Sequence, residues 1–388
     1  MFEKPLGMRD TLPSLYSLKS SIRNKMLDVM NKWGYQMIET PTLEFYETVG
    51  VQSAILEQQL FKLLDQQGHT LVLRPDMTAP IARVAASKLF QGDPLRLGYA
   101  ANVFRAQQNE GGRPAEFEQI GVELIGDDTT SADVEIIALM VSALRKIGLD
   151  EFKISIGHVS FINALFEEIL GNAERADQLR RYLYEKNFVG YREHVKSLSL
   201  SQIDKERLLK VLHLRGGIEK AEEALEMVQC SKGKKAIVDL QNLWSQLKSY
   251  EVDQYIKLEL SIVSHMSYYT GILFELYANN VGSPIGSGGR YDQLLSHFNC
   301  PAPATGFAIR LDHLIEALSE VEALKELYGI IFSEERRHEA FLEANKLREE
   351  GKNVVLQNIT GIQNIDSFTK QFIEVFYFLG KPGKGRES

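Results

Sequence analysis

Cysteine is almost missing. Cys230 and Cys300 are the two in 388 residues, too few and too far apart for a disulfide framework or a zinc site. A reducing cytoplasm fits. Long apolar runs are missing as well. None approaches the ~20 residues that a membrane span needs, and MFEKPLGMRD lacks the apolar stretch of a secretion signal, so no membrane segment is expected. There is no basic excess either. The net charge is -8, whereas nucleic-acid binders draw on basic patches that neutralise phosphates. The charge leans against a tRNA or DNA partner, and the cationic GKPGKGRES at the C-terminus reads more simply as a frayed end. The eight histidines show no metal-ligand spacing, so neither a metal nor a cofactor is called for. No internal repeat or low-complexity tract stands out.

What is there has ordinary globular composition, 44% hydrophobic and 25% charged, with enough chain for about two or three domains and a sizeable core. Leu18, Ile22, Met26, Leu27 and Met30 recur at helical spacing and Gly34 ends the run. A short strand broken at Pro41 follows, and HTLVLRPDMTAPIARVAAS reads as strand, turn and helix. RLGYAANVFR and AEFEQIGVELIG read as two strands joined through AQQNEGGR, with the glycine content of a hairpin. A helix is expected at 131–147 and a strand around 152–157. From about 160 to 255 the texture turns charge-rich and helical, as in an insertion. Strands resume at IKLELSIV and SYYTGILFELY. ATGFAIRLDHLIEALSE then forms a helix with Leu311, Leu314, Ile315 and Leu318 on one face. Residues 324–388 read as a short strand–helix–strand segment.

The strand period of two puts Phe117, Gln119, Gly121 and Glu123 on one face of AEFEQIGVELIG. The glycine leaves room there for a ligand or for a neighbouring backbone. An amide and a carboxylate on an interior strand need partners, which a neighbouring strand could supply equally well. By the same period Tyr269 stands beside Gly271 in SYYTGILFELY, a placement that packing alone also explains. Asp76 and Thr78 suit a helix cap. GSGGRYD is a weak phosphate-loop signal without GK[ST], and close strand packing explains it as well.

In this order the segments resemble a class II aminoacyl-tRNA synthetase, specifically the histidyl-tRNA synthetase core, over residues 1–323. PLGMRDTLP resembles the family's N-terminal element, GYQMIETPTLE its motif 1, VFRAQQNEGGRPAEFEQIGVE its motif 2 and GFAIRLDHL its motif 3. RPDMTA is similar to RPE-x-T-A, IVSHMSYYTG to the histidine-specific L-V-R-G-L-D-Y-Y, and GGRYDQL to a glycine-rich strand and loop. The resemblance implies an α+β fold, an antiparallel sheet flanked by helices, in a homodimer joined through motif 1. It also implies a grip on free histidine. Asp76, Thr78 and Gln119 match the positions that hold the α-amino group. Arg105 matches the motif 2 arginine near the carboxylate and phosphate. Glu123 and Tyr269 match the pair that reads the imidazole, with Tyr268 beside them. Asp76 is one methylene shorter than the family's glutamate.

On the ATP side the sequence departs further. The arginine of L-V-R-G-L-D is Ser264, and the arginine and glutamate of G-x-E-R-L are His313 and Asp312. The residues after Phe-Arg in motif 2 are Gln107 and Gln108. Activation with ATP needs positive charge where the phosphates develop negative charge, and one lost donor typically costs about 2.7–4 kcal/mol. The C-terminal segment is shorter than the family's anticodon-binding domain. This pattern resembles the synthetase-like paralogs that act as regulatory subunits of short-form ATP phosphoribosyltransferase. It implies a non-catalytic hetero-oligomer with the short catalytic subunit and L-histidine as effector. An active histidyl-tRNA synthetase, or another synthetase-like paralog, are the alternative readings.

Overall fold

In a computed structural model of the protein, residues 3–53, 55–106, 114–264, 268–318 and 326–380 are described. The chain divides into two compact units, Met1–Glu320 and Val321–Ser388.

The first unit opens with α1 (Pro13–Lys32), whose first-turn proline lacks an N–H that would have no helical partner anyway. The helix stops at Gly34, where φ is +85°, a conformation costly for any residue with a Cβ. Pro41 separates β1 (Gln36–Met37) from β2 (Leu43–Phe45). β3 (Lys62–Leu64) and β4 (Thr70–Leu73) join β2 in a small antiparallel sheet of order β2-β4-β3. The turn RPD leads into α2 (Thr78–Val84). Then come the long paired strands β5 (Leu95–Phe104) and β6 (Glu116–Ile125), α3 (Thr130–Lys146) and β7 (Phe152–His158).

The helical stretch consists of α4 (Val159–Leu170), α5 (Ala173–Tyr184), α6 (Phe188–Ser197), α7 (Gln202–Lys210), α8 (Glu219–Leu225) and α9 (Ser231–Ser249). It differs from a purely helical insertion: β8 (Arg215–Gly216) lies inside it and forms the edge of the main sheet. β9 (Ile256–Glu259), β10 (Ile272–Ala278), β11 (Gly286–Arg290), β12 (Ala304–Arg310) and α10 (Leu311–Ala317) complete the unit.

The main sheet has the order β1-β5-β6-β12-β11-β10-β7-β9-β8. Its six middle strands are antiparallel, as a class II synthetase-like sheet should be. The ends make it mixed, because β1 runs parallel to β5 and β9 parallel to β7. One face packs on helices: Ile120, Val122 and Leu124 of β6 and Phe307 and Ile309 of β12 share a buried cluster with α1, α3, α4 and α9. On that face Glu118 is paired with Arg23 of α1 at 2.8 Å. The alternation of period two sends Gln119, Glu123, Gly306, Ala308 and Arg310 to the other face.

Three glycine readings are decided by what surrounds them. A Cβ on Gly121 would stand 2.2 Å from the Phe307 carbonyl and 2.5 Å from the Tyr99 hydroxyl, so that position admits a neighbouring strand and a tyrosine, not a ligand. The room beside Gly271 is taken by the Arg290 side chain, 3.3 Å from where a Cβ would be. Gly271 also lies outside β10, and Tyr269 before it, contrary to the strand expected from residue 267 on. Gly288 is close strand packing: its Cβ would meet the Gly306 carbonyl at 2.3 Å.

The second unit is an all-parallel sheet, order β14-β13-β15, made of β13 (Leu327–Phe332), β14 (Asn353–Asn358) and β15 (Glu374–Phe378). α11 (Arg337–Glu349) buries Ala340, Ala344 and Leu347 against Ile330 and Phe332, and α12 (Ile365–Thr369) precedes β15. The third strand was not anticipated from the sequence.

Gly121→Ala should therefore cost about 1–3 kcal/mol of stability or more, read as a fall in the urea midpoint. Gly282→Ala, whose Cβ would meet nothing within 4 Å, should stay within about 0.5 kcal/mol of wild type.

Candidate functional site

All seven residues singled out in the sequence line one cavity. Asp76, Thr78, Arg105, Gln119, Glu123, Tyr268 and Tyr269 line it with Gly286, Ser287, Gly288 and Tyr291 from the glycine-rich segment and Gly306, Ala308 and Arg310 from β12.

Glu123 is the hub. It is 2% exposed. Its Oε1 accepts from Thr78 Oγ1 at 2.8 Å and its Oε2 from the Tyr291 hydroxyl. Burial pushes its pKa up to about 8; the two hydrogen bonds oppose this and the Asp76 charge adds to it. The second carboxylate, Asp76, lies just before α2. Its Oδ1 accepts from the Ala79 backbone N–H at 3.1 Å, so it does bond to the helix start. Its Oδ2 is buried with no hydrogen-bond partner among the described residues, and so is Gln119 Oε1. Burial also raises the pKa of Asp76. A buried acceptor left unsatisfied costs free energy, so these two atoms mark where a donor belongs.

Two cations face them. Arg105 Nε donates to the Pro75 carbonyl at 2.8 Å. Burial draws the Arg105 pKa down and the nearby Asp76 charge opposes that. Arg310 ends β12 and pairs with Asp312, Nη2 to Oδ2 at 2.8 Å. The tyrosines form one aromatic wall: the Tyr268 and Tyr269 rings lie 5.0 Å apart, and Tyr268 meets Tyr291 edge-on at 5.7 Å.

The departures fall elsewhere. Ser264 lines a neighbouring cavity with Val159, Ile162, Asn163, Arg180 and Tyr269, not this one. His313 is buried in α10 with Nδ1 3.2 Å from the Pro284 carbonyl. Gln107 and Gln108, and His265 of the SHMSYYTG stretch, lie outside the described residues. Sequence reading missed Tyr291 and Arg310. Tyr291 stands inside the quoted GSGGRYD, where only the glycines were read. Arg310 was legible from the period of two along ATGFAIR, which places it on the face of Gly306 and Ala308.

The folded Glu123 carboxyl keeps its proton to about pH 8, whereas its ordinary value is 4.5. Across that window the folded state binds more protons than the unfolded chain, so this group's contribution to stability falls as pH rises. Thermal melts from pH 5 to 8.5 should show Glu123→Gln gaining on wild type as pH rises. A constant difference between the two would contradict the assignment.

The histidyl-tRNA synthetase family pattern matches residues 7–314, and the pattern described as the C-terminal domain of histidyl-tRNA synthetase HisZ matches residues 329–380. The chain is 65% identical to the ATP phosphoribosyltransferase regulatory subunit of Bacillus licheniformis and 64% identical to that of Bacillus subtilis, each over 98% of this chain and 97% of the relative. It is 58% identical to a solved ATP phosphoribosyltransferase regulatory subunit/histidyl-tRNA synthetase from Bacillus halodurans, with a TM-score of 0.92 over 98% of this chain and 99% of that one. A histidyl-tRNA synthetase from Nostoc shares the fold at 19% identity, with a TM-score of 0.79 over 95% and 88% of the two chains.

Proposed function

The chain belongs to the family of ATP phosphoribosyltransferase regulatory subunits, built on a histidyl-tRNA synthetase fold, and on that premise we propose that it senses free L-histidine in the cavity around Glu123. It acts as the non-catalytic regulatory subunit of a short-form ATP phosphoribosyltransferase, needed for the first step of histidine biosynthesis and for its feedback control.

The observation that carries the sensor reading is the polarity of the cavity. Asp76 Oδ2 and Gln119 Oε1 are buried acceptors without partners among the described residues and suit an α-ammonium group. Arg105 and Arg310 line the same cavity and suit a carboxylate, for which a guanidinium offers paired donors. Glu123, Tyr269 and Tyr291 provide a polar end for a ring that bears nitrogen. A pocket that hydrogen-bonds its ligand rejects analogues lacking those groups strongly.

Aminoacylation is not expected. Ser264 and His313 carry no guanidinium, Ser264 lies in a different cavity, and His313 is engaged by a backbone carbonyl. Developing phosphate charge would go without those donors. Motif 1 and the small β2-β4-β3 sheet expose Met37, Leu43, Phe45, Leu63 and Leu64 at 40–74%, an apolar surface suited to a second copy of the chain. A homodimer core within the hetero-oligomer follows from this reading. Among the described residues no helix is long and apolar enough to cross a membrane, and a cytoplasmic place beside the catalytic subunit fits.

Calorimetry should show saturable binding of L-histidine and none of L-phenylalanine, with Glu123→Ala and Tyr269→Phe weakening histidine by roughly two- to tenfold, the scale of one buried hydrogen bond between neutral groups. Equal binding of the two amino acids, or no binding, would sink the assignment. Histidine-dependent ATP–pyrophosphate exchange by the purified protein would restore the synthetase reading.

A further inference from the structure

The geometry points to Arg310 as a built-in plug: its guanidinium lies on the face of Phe117 where a flat aromatic ligand would stack, so the cavity takes an amino acid and turns away a nucleoside. This rests on reading the cavity as an amino-acid pocket and adds what keeps other ligands out of it.

Three observations meet at this side chain. The guanidinium carbon of Arg310 stands 3.8 Å from the centroid of the Phe117 ring. That is van der Waals contact, and no second layer fits between them. Phe117 is 3% exposed, and Arg310, not Phe117, lines the cavity. Secondly, the plug is clamped. Arg310 donates to both oxygens of Asp312, from Nη2 at 2.8 Å and from Nε at 3.3 Å. Burial would raise the Asp312 pKa, yet the bonded Arg310 holds it below the usual value, so Asp312 stays a carboxylate at neutral pH. The guanidinium is held on its flat face by the ring and along its Nε–Nη2 edge by the carboxylate. Thirdly, the sequence departs here. The G-x-E-R-L pattern that GFAIRLDHL resembles begins with glycine at this position, and a glycine would leave the ring uncovered.

The arrangement has a second consequence. Arg105 also lies near the same ring, its guanidinium carbon 5.4 Å from the centroid. The two guanidinium groups thus converge on one aromatic side chain at the cavity wall. A cation moved into the space of a stacking ligand remains available to a ligand carboxylate. One substitution therefore removes a site for a flat base and adds a charge for an amino acid.

The test compares wild type, Arg310→Gly and Asp312→Asn. Adenosine is the probe, because it offers a flat base and requires no phosphate-binding cations. Saturation-transfer NMR with titration reads its binding, and calorimetry of L-histidine runs on the same samples. The expected result is no saturable adenosine binding to wild type and binding to Arg310→Gly at least roughly tenfold tighter, since stacking on an aromatic side chain is worth about that much per base or more. Asp312→Asn, which keeps the arginine but loosens its clamp, should fall between them. Histidine binding should weaken in Arg310→Gly. Equal adenosine binding by wild type and Arg310→Gly would overturn the plug, as would a folded Arg310→Gly that binds none. Failure of wild type to bind histidine would remove the sensor reading instead, and the adenosine comparison would still decide the plug.

Discussion

One buried carboxyl group organises this site. Glu123 sits on β6 of the main sheet, and its two oxygens are held by Thr78 at the start of α2 and by Tyr291 just after β11. Three segments far apart in sequence are thereby tied to one point. Burying an ionised carboxylate is costly without a countercharge, and the partners of Glu123 are hydroxyls, not cations. The carboxyl responds by holding its proton to about pH 8. Everything else in the cavity is arranged around this neutral, donor-clamped group: the second carboxylate at Asp76, the tyrosine wall, and the two guanidinium groups near Phe117.

That arrangement separates recognition from chemistry. Recognising an amino acid needs a few buried partners of the right polarity, and those are together in one cavity. Activating it with a nucleotide needs a second set of cations aimed at phosphate oxygens, together with an open surface for the base. Under the proposed function the chain keeps the first set and, at Ser264 and His313, lacks the second. His313 serves the Pro284 carbonyl and Arg310 covers Phe117. A ligand held without turnover can act only by favouring one state of an assembly over another, which is what a regulatory subunit does.

Much of this was legible in the sequence, and the reasons are physical. Period two along AEFEQIGVELIG set Gln119 and Glu123 on one face, because strand geometry leaves no other choice once the segment is extended. The same period left Gly121 open between a ligand and a neighbouring backbone, and it misled at Gly271, which lies before β10. A missing side chain signals space, but only the packed structure tells whether a ligand, Tyr99 or Arg290 fills it. Asp76 suits a helix cap and a ligand contact alike in the sequence; its Oδ1 accepts from the Ala79 N–H, and its Oδ2 has no partner among the described residues. Beyond its face, Arg310 carries no mark of a site residue in sequence, because an arginine at the end of a strand is ordinary and only the packed structure lays it over Phe117. Strand β15 was missed because a short aromatic-rich run near the end of the chain has no alternation to mark it. The parallel ends of the main sheet are pairings between segments remote in sequence, which local pattern does not encode.

The central claim is that occupancy of the Glu123 cavity controls a partner enzyme. The most direct measurement is the rate of the short ATP phosphoribosyltransferase catalytic subunit against histidine concentration, alone, with this chain, and with its Glu123→Ala variant. Activity should depend on this chain, histidine should inhibit the complex, and the curve should move to higher histidine for Glu123→Ala while the two proteins still co-elute. An unchanged inhibition curve with the variant, or a catalytic subunit equally active and equally inhibited on its own, would contradict the claim.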